Sequence, residues 1–588
     1  MSDSTGNSIP KKIRSCSLLL DLPVSVLTII TSQYLLFPYE LCQLDIAISN
    51  ASDRRHFHAS IVLPYEESLW KDYRFKPWLA ARDHIRCTEV RLIDPSPSPD
   101  YTLSAWLSKN APFIRRLCIQ NASYYGESLA LAIRDLFKAC SQLTSFTLLN
   151  CYFPLDWDII LPSTLREIAL RLEKYVTYRL IKQLVNGCPN LELLSITSRS
   201  APNLCPADFS DRLPFLPQLR HFKINRRGKY PYSNVDADAL LFWLAKGSTK
   251  LQTLEVANLM GFTIKGLIAI GSSCPIEKLA MNSPPSFSTV IPEKHLHNWG
   301  DLDEALTFFP RLRKLRVCKC PELTGASWLE NMPFLTDLTL SNCANFQSMG
   351  RILSFSSLTA LSLDTLHLLD SHLFSLSRPL PNLQILCISR CYGISNSGIV
   401  SLLRYCPNLV CLKLKRNMEV DDEIISIALR ICPQLETFSG HSISHISCAA
   451  RCEGSTHLKT LKLFGCGFYS PKDLINLLLT CSERHGLECL WIEDCKLEQS
   501  FYPKIMSAMA SHSSTLRSLT LSGDYLPHQD TLNLLRSLKR LSSFTGQVLQ
   551  EEHPPVAHTV AIKNYRKASP FARLHIKFHP FVDDTENL

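Results

Sequence analysis

The chain is 588 residues long, 46% hydrophobic and 20% charged, a balance that reads as globular. Its formal charge of +9 is modest for that length and sets no expectation of nucleic-acid binding. A chain this long would ordinarily divide among several domains, a limit that a repeat architecture escapes because each unit contacts only its neighbours.

Residues 1–16 are a polar tail with Lys11, Lys12 and Arg14, expected to be disordered. Leu18 to Phe37 is the most apolar window, which raises the question of a signal peptide or membrane anchor. Asp21, Pro23, Ser25, Thr28, Thr31, Ser32 and Gln33 interrupt it, and an Asp at a membrane helix centre costs about 2.5–3.5 kcal/mol. A small helical cluster is the better reading. Leu22-Pro23 opens it, Val26, Leu27 and Ile30 share one helical face, Leu35 sits in a turn, and Leu41, Leu44 and Ile48 form a second face.

That order of residues resembles the F-box, the helical module by which SCF-type ubiquitin ligases recruit substrate receptors. The resemblance covers about residues 20 to 60. Ser25 stands where that family commonly carries an acid, and Phe57 is the aromatic nearest to its usual tryptophan. It implies an adaptor-binding surface of Leu22, Pro23, Leu27, Leu41 and Leu44, with a Skp-family adaptor and a cullin complex as partners. The alternative is a helical cap that merely covers the first repeat. Trp70, Phe75, Trp78 and Leu79 would join the segment 17–80 to the remainder of the chain.

Beyond residue 80 a strand pattern recurs. Its clearest copy is Pro381 to Leu414. With Leu383 as position zero, Leu386 at +3 and Ile388 at +5 share one face of a strand, and Cys391 stands at +8. Ser395 and Asn396 can cap a helix whose buried face is Ile399, Leu402 and Leu403, and Cys406-Pro407 ends it. The inward pairs run from Val90/Leu92 through Leu117/Ile119 and Leu386/Ile388 to Leu461/Leu463 and Phe544/Gly546. Counted from Cys87 to Leu541, the mean period is about 27 residues. The run CISRCYGISNSGIVSLLRYCPNLVCLKL is similar to the cysteine-containing leucine-rich-repeat family.

The resemblance implies an α/β leucine-rich-repeat solenoid over 81–549, a horseshoe with a parallel sheet on its concave face and helices mostly outside. Two repeats carry insertions, Arg226 to Asn234 and Ser283 to Asp301, which belong in loops. After Leu549 the pattern stops. Thr559 to Ile562 and Leu574 to Phe578 suggest a hairpin, and 550–588 is expected to be a terminal cap.

The 23 cysteines do not read as a disulfide framework. Cys151, Cys320, Cys343, Cys391, Cys466 and Cys495 share the +8 position, while Cys140, Cys188, Cys274, Cys406 and Cys432 end helices. One thiol per repeat position is a packing role, and the odd count points to a reducing compartment, the cytoplasm or nucleus.

No catalytic constellation stands out, so an enzyme is not expected, nor a cofactor. Gly261, Gly266 and Gly271 are too dispersed to cradle a phosphate. Asn50 and Asn121 open glycosylation sequons that matter only in an exported chain. His441, His445, Cys448 and Cys452, with His457 beyond, have spacings a zinc site could use, although a divergent repeat with helix-face thiols is the plainer account. Cys318 and Cys320 read as one exposed strand residue and one packing thiol.

What remains is a surface. Residues at +4 and +6 point away from the core, and these include Lys413, Lys415, His441, Lys462, Phe464, Trp491 and Glu493. Aromatics among lysines resemble a binding hot spot. A second basic patch, His221, Lys223, Arg226 and Arg227 toward Lys278, Lys314 and Arg316, reads more plainly as a solvated face. The expected function is protein recognition: a ubiquitin-ligase substrate receptor holding an acidic or phosphorylated protein target. The alternative is a leucine-rich-repeat scaffold or regulatory adaptor with no ligase. An exported receptor would need the first forty residues to be a signal, and no membrane partner is expected.

Overall fold

The computed structural model describes residues 89–93, 111–120, 136–151, 160–173, 178–199, 214–226, 237–258, 263–282, 302–374, 376, 378–417, 420, 423–443, 457–466, 471–484, 486–495, 501–550, 568 and 573–580. The F-box-like segment, the insertion from Ser283 to Asp301, and His445, Cys448 and Cys452 lie outside them. The chain divides into two compact units, Met1–Ile276 with Ser283–Asn298, and Glu277–Asn282 with Trp299–Leu588.

In the first unit the strands are β1 (Glu89–Ile93), β2 (Arg116–Gln120), β3 (Ser145–Cys151), β4 (Glu167–Leu172), β5 (Leu193–Ser198), β6 (His221–Arg226) and β7 (Thr253–Ala257). Each pairs in parallel with the next. The second unit opens with β8 (Lys278–Asn282), β9 (Lys314–Cys318), β10 (Asp337–Ser341), β11 (Ala360–Asp364), β12 (Ile385–Ser389) and β13 (Cys411–Lys415). It continues with β14 (Thr437–His441), β15 (Thr460–Phe464), β16 (Cys489–Glu493), β17 (Ser518–Leu526), β18 (Ser543–Gln550) and β19 (Arg573–Pro580), again parallel throughout. Parallel neighbours need a crossover between them, and helices such as Asn396–Arg404 and Glu423–Ile431 lie in the described connections. The fold is a leucine-rich-repeat solenoid.

The alternating residues do what their period requires. Leu386 faces Leu361 and Leu412 in register, Ile388 faces Leu363 and Leu414, and all six are buried. Gly440 takes one inward place without a side chain, and Ile443 and Phe438 fill the space a Cβ would occupy.

After each of the strands β10 to β16 the chain turns through one left-handed residue: Asn342, Thr365, Arg390, Arg416, Ser442, Gly465 and Asp494 all have φ between 51° and 56°. Each still donates its N–H to the next strand, as Arg390 does to the Lys415 carbonyl at 2.8 Å, so the ladder gains one more rung before the bend. The bend delivers the +8 residue inward. Cys391 Sγ reaches the carbonyls of Ser389 (3.4 Å) and Leu363 (3.9 Å), and Cys343, Cys466 and Cys495 repeat the pattern. Where the thiol is replaced, at Asn417, the amide Nδ2 donates to Ile388 and Oδ1 accepts from Cys391 N–H. The described cysteines are free thiols. Burial pushes Cys391 up to about 11 and the helix-ending Cys406 up to about 12, as expected for packing groups.

A second device links repeats on the helical side. Ser395 caps helix Asn396–Arg404, accepting from Ser397 N–H, and its own N–H and Oγ–H donate to the two oxygens of Asp370 in the preceding repeat, at 3.0 and 2.6 Å. Glycine at 398 leaves room for this contact, because a Cβ there would lie 2.0 Å from Asp370 Oδ1 and the carboxylate would have to move. Asp238, Thr263 and Gly266 repeat the arrangement, and Asp303 holds Thr324 Oγ1–H and Gly325 N–H through its one oxygen Oδ2.

One sequence expectation is reached only in part by the described residues, and another needs correction. The segment Leu574 to Phe578 does form a strand, β19, which lies parallel to β18 and extends the sheet beyond the last recognisable repeat, while 559–562, the other half of the suggested hairpin, lies outside the described residues. Cys318 is not exposed. It is buried at 7% exposure, with Arg316 Nε donating to its sulfur at 3.4 Å.

Candidate functional site

Strand register decides which outward side chains meet. One row across β13 to β17 reads Lys413, Ser439, Lys462, Trp491 and Thr520, and the next reads Lys415, His441, Phe464, Glu493 and Ser522. All seven surface residues singled out from the sequence therefore stand on one face of four successive strands. Ser439, between the two lysines of its row, is buried.

The aromatics are joined. His441 and Phe464 stack with ring centroids 4.2 Å apart and planes 11° from parallel. Phe464 then meets Trp491 at 5.4 Å and 47°, and Lys462 Nζ lies 5.2 Å from the centre of the Trp491 ring. Trp491 is half-buried, so it is not the fully exposed indole its outward position suggests, and its N–H donates to Glu493 Oε2 at 2.7 Å. The indole edge is thus already satisfied, and what the cluster leaves open to a partner is apolar ring surface.

Charge around the cluster is unbalanced. Among the described residues Lys413, Lys415 and Lys462 make no ion pair, and Arg416 adds a further cation at the end of β13. Burial holds the His441 imidazole below its ordinary value, and Lys415 and Arg416 lower it further against the opposing pull of Glu493. His441 is accordingly a neutral stacking ring near neutral pH.

At the other end of the second row, Asp364 is taken up by Arg390, whose Nε and Nη2 donate to its two oxygens at 3.0 and 2.7 Å. Burial alone would raise the Asp364 carboxyl, but the hydrogen bonds from Arg390, Ser341 and Ser389 and the Arg390 charge bring it below its ordinary value. This clamp joins residues from successive repeats, and neither the aromatic stack nor the clamp is signalled by any local motif.

Two cations of the second basic patch are paired with acids. Lys223 pairs with Glu255 and Lys314 with Asp337 at 2.9 Å, while the side chains of Arg226 and Arg227 lie outside the described residues. Among the described residues no group of three His, Cys, Asp or Glu side chains could hold a metal ion, and no helix is long and apolar enough to cross a membrane.

No family model matches the sequence, and no curated protein matches it. Among solved structures, a leucine-rich-repeat protein of Leptospira interrogans is 14% identical, over 86% of this chain and 98% of its own, with a TM-score of 0.26. The yeast complex of Rad7 and Elc1 is 13% identical, over 68% of this chain and 83% of that chain, with a TM-score of 0.37. Likenesses that distant add nothing to the fold assignment, which rests on the strand registers and the repeated caps.

Proposed function

We propose that the chain is a protein-recognition subunit that holds a polypeptide target on the outward face of β13 to β16. The observation that carries this reading is the continuous His441–Phe464–Trp491 cluster, bordered by lysines without ion pairs. A partner burying the open ring surface gains about 25 cal/mol per Å², and the lysines favour an acidic or phosphorylated segment by steering more than by raw affinity. The solenoid supplies the rigid backbone; the side chains supply the choice.

The more specific form of the proposal is a substrate receptor of an SCF-type ubiquitin ligase. It is supported by the F-box-like order of Leu22, Pro23, Leu27, Leu41 and Leu44, which would dock a Skp-family adaptor bound to a cullin. A scaffold or regulatory adaptor without ligase partners is the second reading, favoured by Ser25 and by the lack of the usual tryptophan.

Affinity purification of the full-length chain tests both levels. Recovery of a Skp-family adaptor and a cullin, lost on deletion of residues 1–60, supports the receptor; their absence, in an experiment that captures a known F-box protein, leaves the scaffold. Against the target recovered, Trp491→Ala should weaken binding by more than about tenfold, about 1.4 kcal/mol. Lys413→Glu with Lys415→Glu should chiefly slow association. If Lys314 and Arg316 prove essential while Trp491→Ala changes nothing, the wrong face has been chosen.

A further inference from the structure

A pocket of about 250 Å³ opens at the strand-entry end of β15 to β18, away from the aromatic cluster. Its walls come from the residues flanking the first inward leucine of each repeat, Leu458, Leu487, Leu516 and Leu541, all buried. Lys459, Glu488 and Arg517 follow three of these leucines, and His457 and Arg540 precede the first and last.

The backbone fixes the spacing. Glu488 N–H donates to the Lys459 carbonyl and Arg517 N–H to the Glu488 carbonyl, both at 2.8 Å, so the flanking side chains are held in ladder register. The space between them exists because of Gly486. Its φ is +74°, and a Cβ there would come within 2.4 Å of Thr515 Oγ1. A position that combines a left-handed backbone with a close neighbour keeps the pocket floor bare.

Charge sets the ligand class. Three permanent cations, Lys459, Arg517 and Arg540, face one carboxylate, Glu488. Glu436, outside the pocket, pairs with Lys459 at 2.7 Å, and Glu488 touches Arg517 only at 4.0 Å. Arg540 is exposed and makes no ion pair or hydrogen bond with the described residues. With Lys459 held by Glu436, the one pocket carboxylate reaches Arg517 only loosely and leaves Arg540 unmatched; a phosphate monoester has three strong acceptor oxygens and a larger charge, and guanidinium forks match it. The pocket volume admits the ester and the side chain that bears it.

We infer that this pocket binds the phosphate monoester of a phosphorylated polypeptide side chain, with Arg540 and Arg517 as the principal donors and Lys459 as the third. The assignment stands on the pocket alone and does not depend on the aromatic surface being the target site.

Fluorescence anisotropy with the full-length chain tests it, using a labelled Gly-Gly-phosphoserine-Gly-Gly peptide and its serine and glutamate counterparts. Saturable binding of the phosphoserine peptide is expected, weaker by at least about tenfold for both counterparts and for the Arg540→Gln, Arg517→Gln double variant. Both arginines are exposed, so that variant should retain the wild-type melting transition. Trp491→Ala and the Lys314→Gln, Arg316→Gln pair should leave the affinity unchanged. The assignment is overturned by no saturable binding at millimolar peptide, by glutamate binding as tightly as phosphoserine, or by an undiminished affinity in the arginine double variant. Inorganic phosphate competing at the same concentration as the phosphopeptide would also overturn it, identifying a free anion as the ligand. So would loss of peptide binding in Trp491→Ala, which would move the peptide to the aromatic face.

Discussion

Gly398→Ala should destabilise the repeat it belongs to, although alanine is the better helix former. In an exposed helix interior the exchange would gain roughly 0.5–1 kcal/mol. Here the new Cβ would stand 2.0 Å from Asp370 Oδ1 and 3.1 Å from Leu373 Cδ1, so Asp370 must swing away. It then releases the N–H and hydroxyl of Ser395, held at 3.0 and 2.6 Å. Hydrogen bonds to a charged group contribute about 1.5–3 kcal/mol each, and part is recovered from water because the site is only part-buried. A net loss of about 2–3 kcal/mol is expected for Gly398→Ala, and a similar loss for Asp370→Ala. The double variant is the informative one. With the carboxylate gone the methyl has room, so its own effect should reverse sign, and Asp370→Ala, Gly398→Ala should be no less stable than Asp370→Ala alone. Local opening free energies from native-state hydrogen exchange over 395–404 read this directly, which matters because a long repeat array need not unfold in two states. Additive losses in the double variant would refute the proposed contact.

His512 should make its repeat acid-sensitive. Its ring is 1% exposed, accepting from Leu487 N–H at Nδ1 and facing the Leu478 carbonyl from Nε2, both at 2.9 Å, so the neutral Nε2–H tautomer satisfies both. Burial holds its pKa below the ordinary value, against the raising effect of the Leu478 carbonyl. The unfolded ring therefore takes up protons first: the contribution is complete above about pH 6.5 and is lost as pH falls toward the folded value, by at most about 1.4 kcal/mol per pH unit. Hydrogen exchange over 501–516 at pH 7.5 and 5.5, corrected for intrinsic rates, should show this loss in the wild type and not in His512→Gln; equal protection at the two pH values would sink it. Thr365 is a β-branched residue at φ 52°, where Asn stands in the neighbouring repeat at Asn342. Thr365→Asn should stabilise by about 1 kcal/mol, read as a rise in melting temperature, and an unchanged or lower transition would count against backbone strain there.

The inward pairs were legible because a period of two needs only the residue types, and every repeat restates it. Less local features were not. Asp370 looks like any acid in a turn until the next repeat is laid beside it, and Arg390 and Asp364 are separated by a whole repeat. Asn417 fills a thiol position by a different chemistry, which a search for cysteines passes over. The outward rows followed from the repeat offsets, yet the stacking of His441 on Phe464 depends on rotamers that no spacing encodes. Cys318 looked exposed because its position is outward; the side chain of Arg316, two residues earlier, changes its surroundings. The alternation of Leu574 to Phe578 marked a strand, but without the repeat signature nothing local showed that it would lie parallel to β18.

The aspartate caps give the array a direction. Asp238 holds the start of the following helix, Ile264–Ser273, through Thr263, and Asp370 does the same for Asn396–Arg404 through Ser395. A chain cut just before Thr263 would leave Asp238 an ordinary solvated carboxylate, whereas one begun just after Asp238 would strip the next helix of its outer anchor. Trimming from the two ends is therefore not equivalent. During synthesis, too, the carboxylate emerges before the segment it receives, so each finished turn of the solenoid waits as a template for the one still being made.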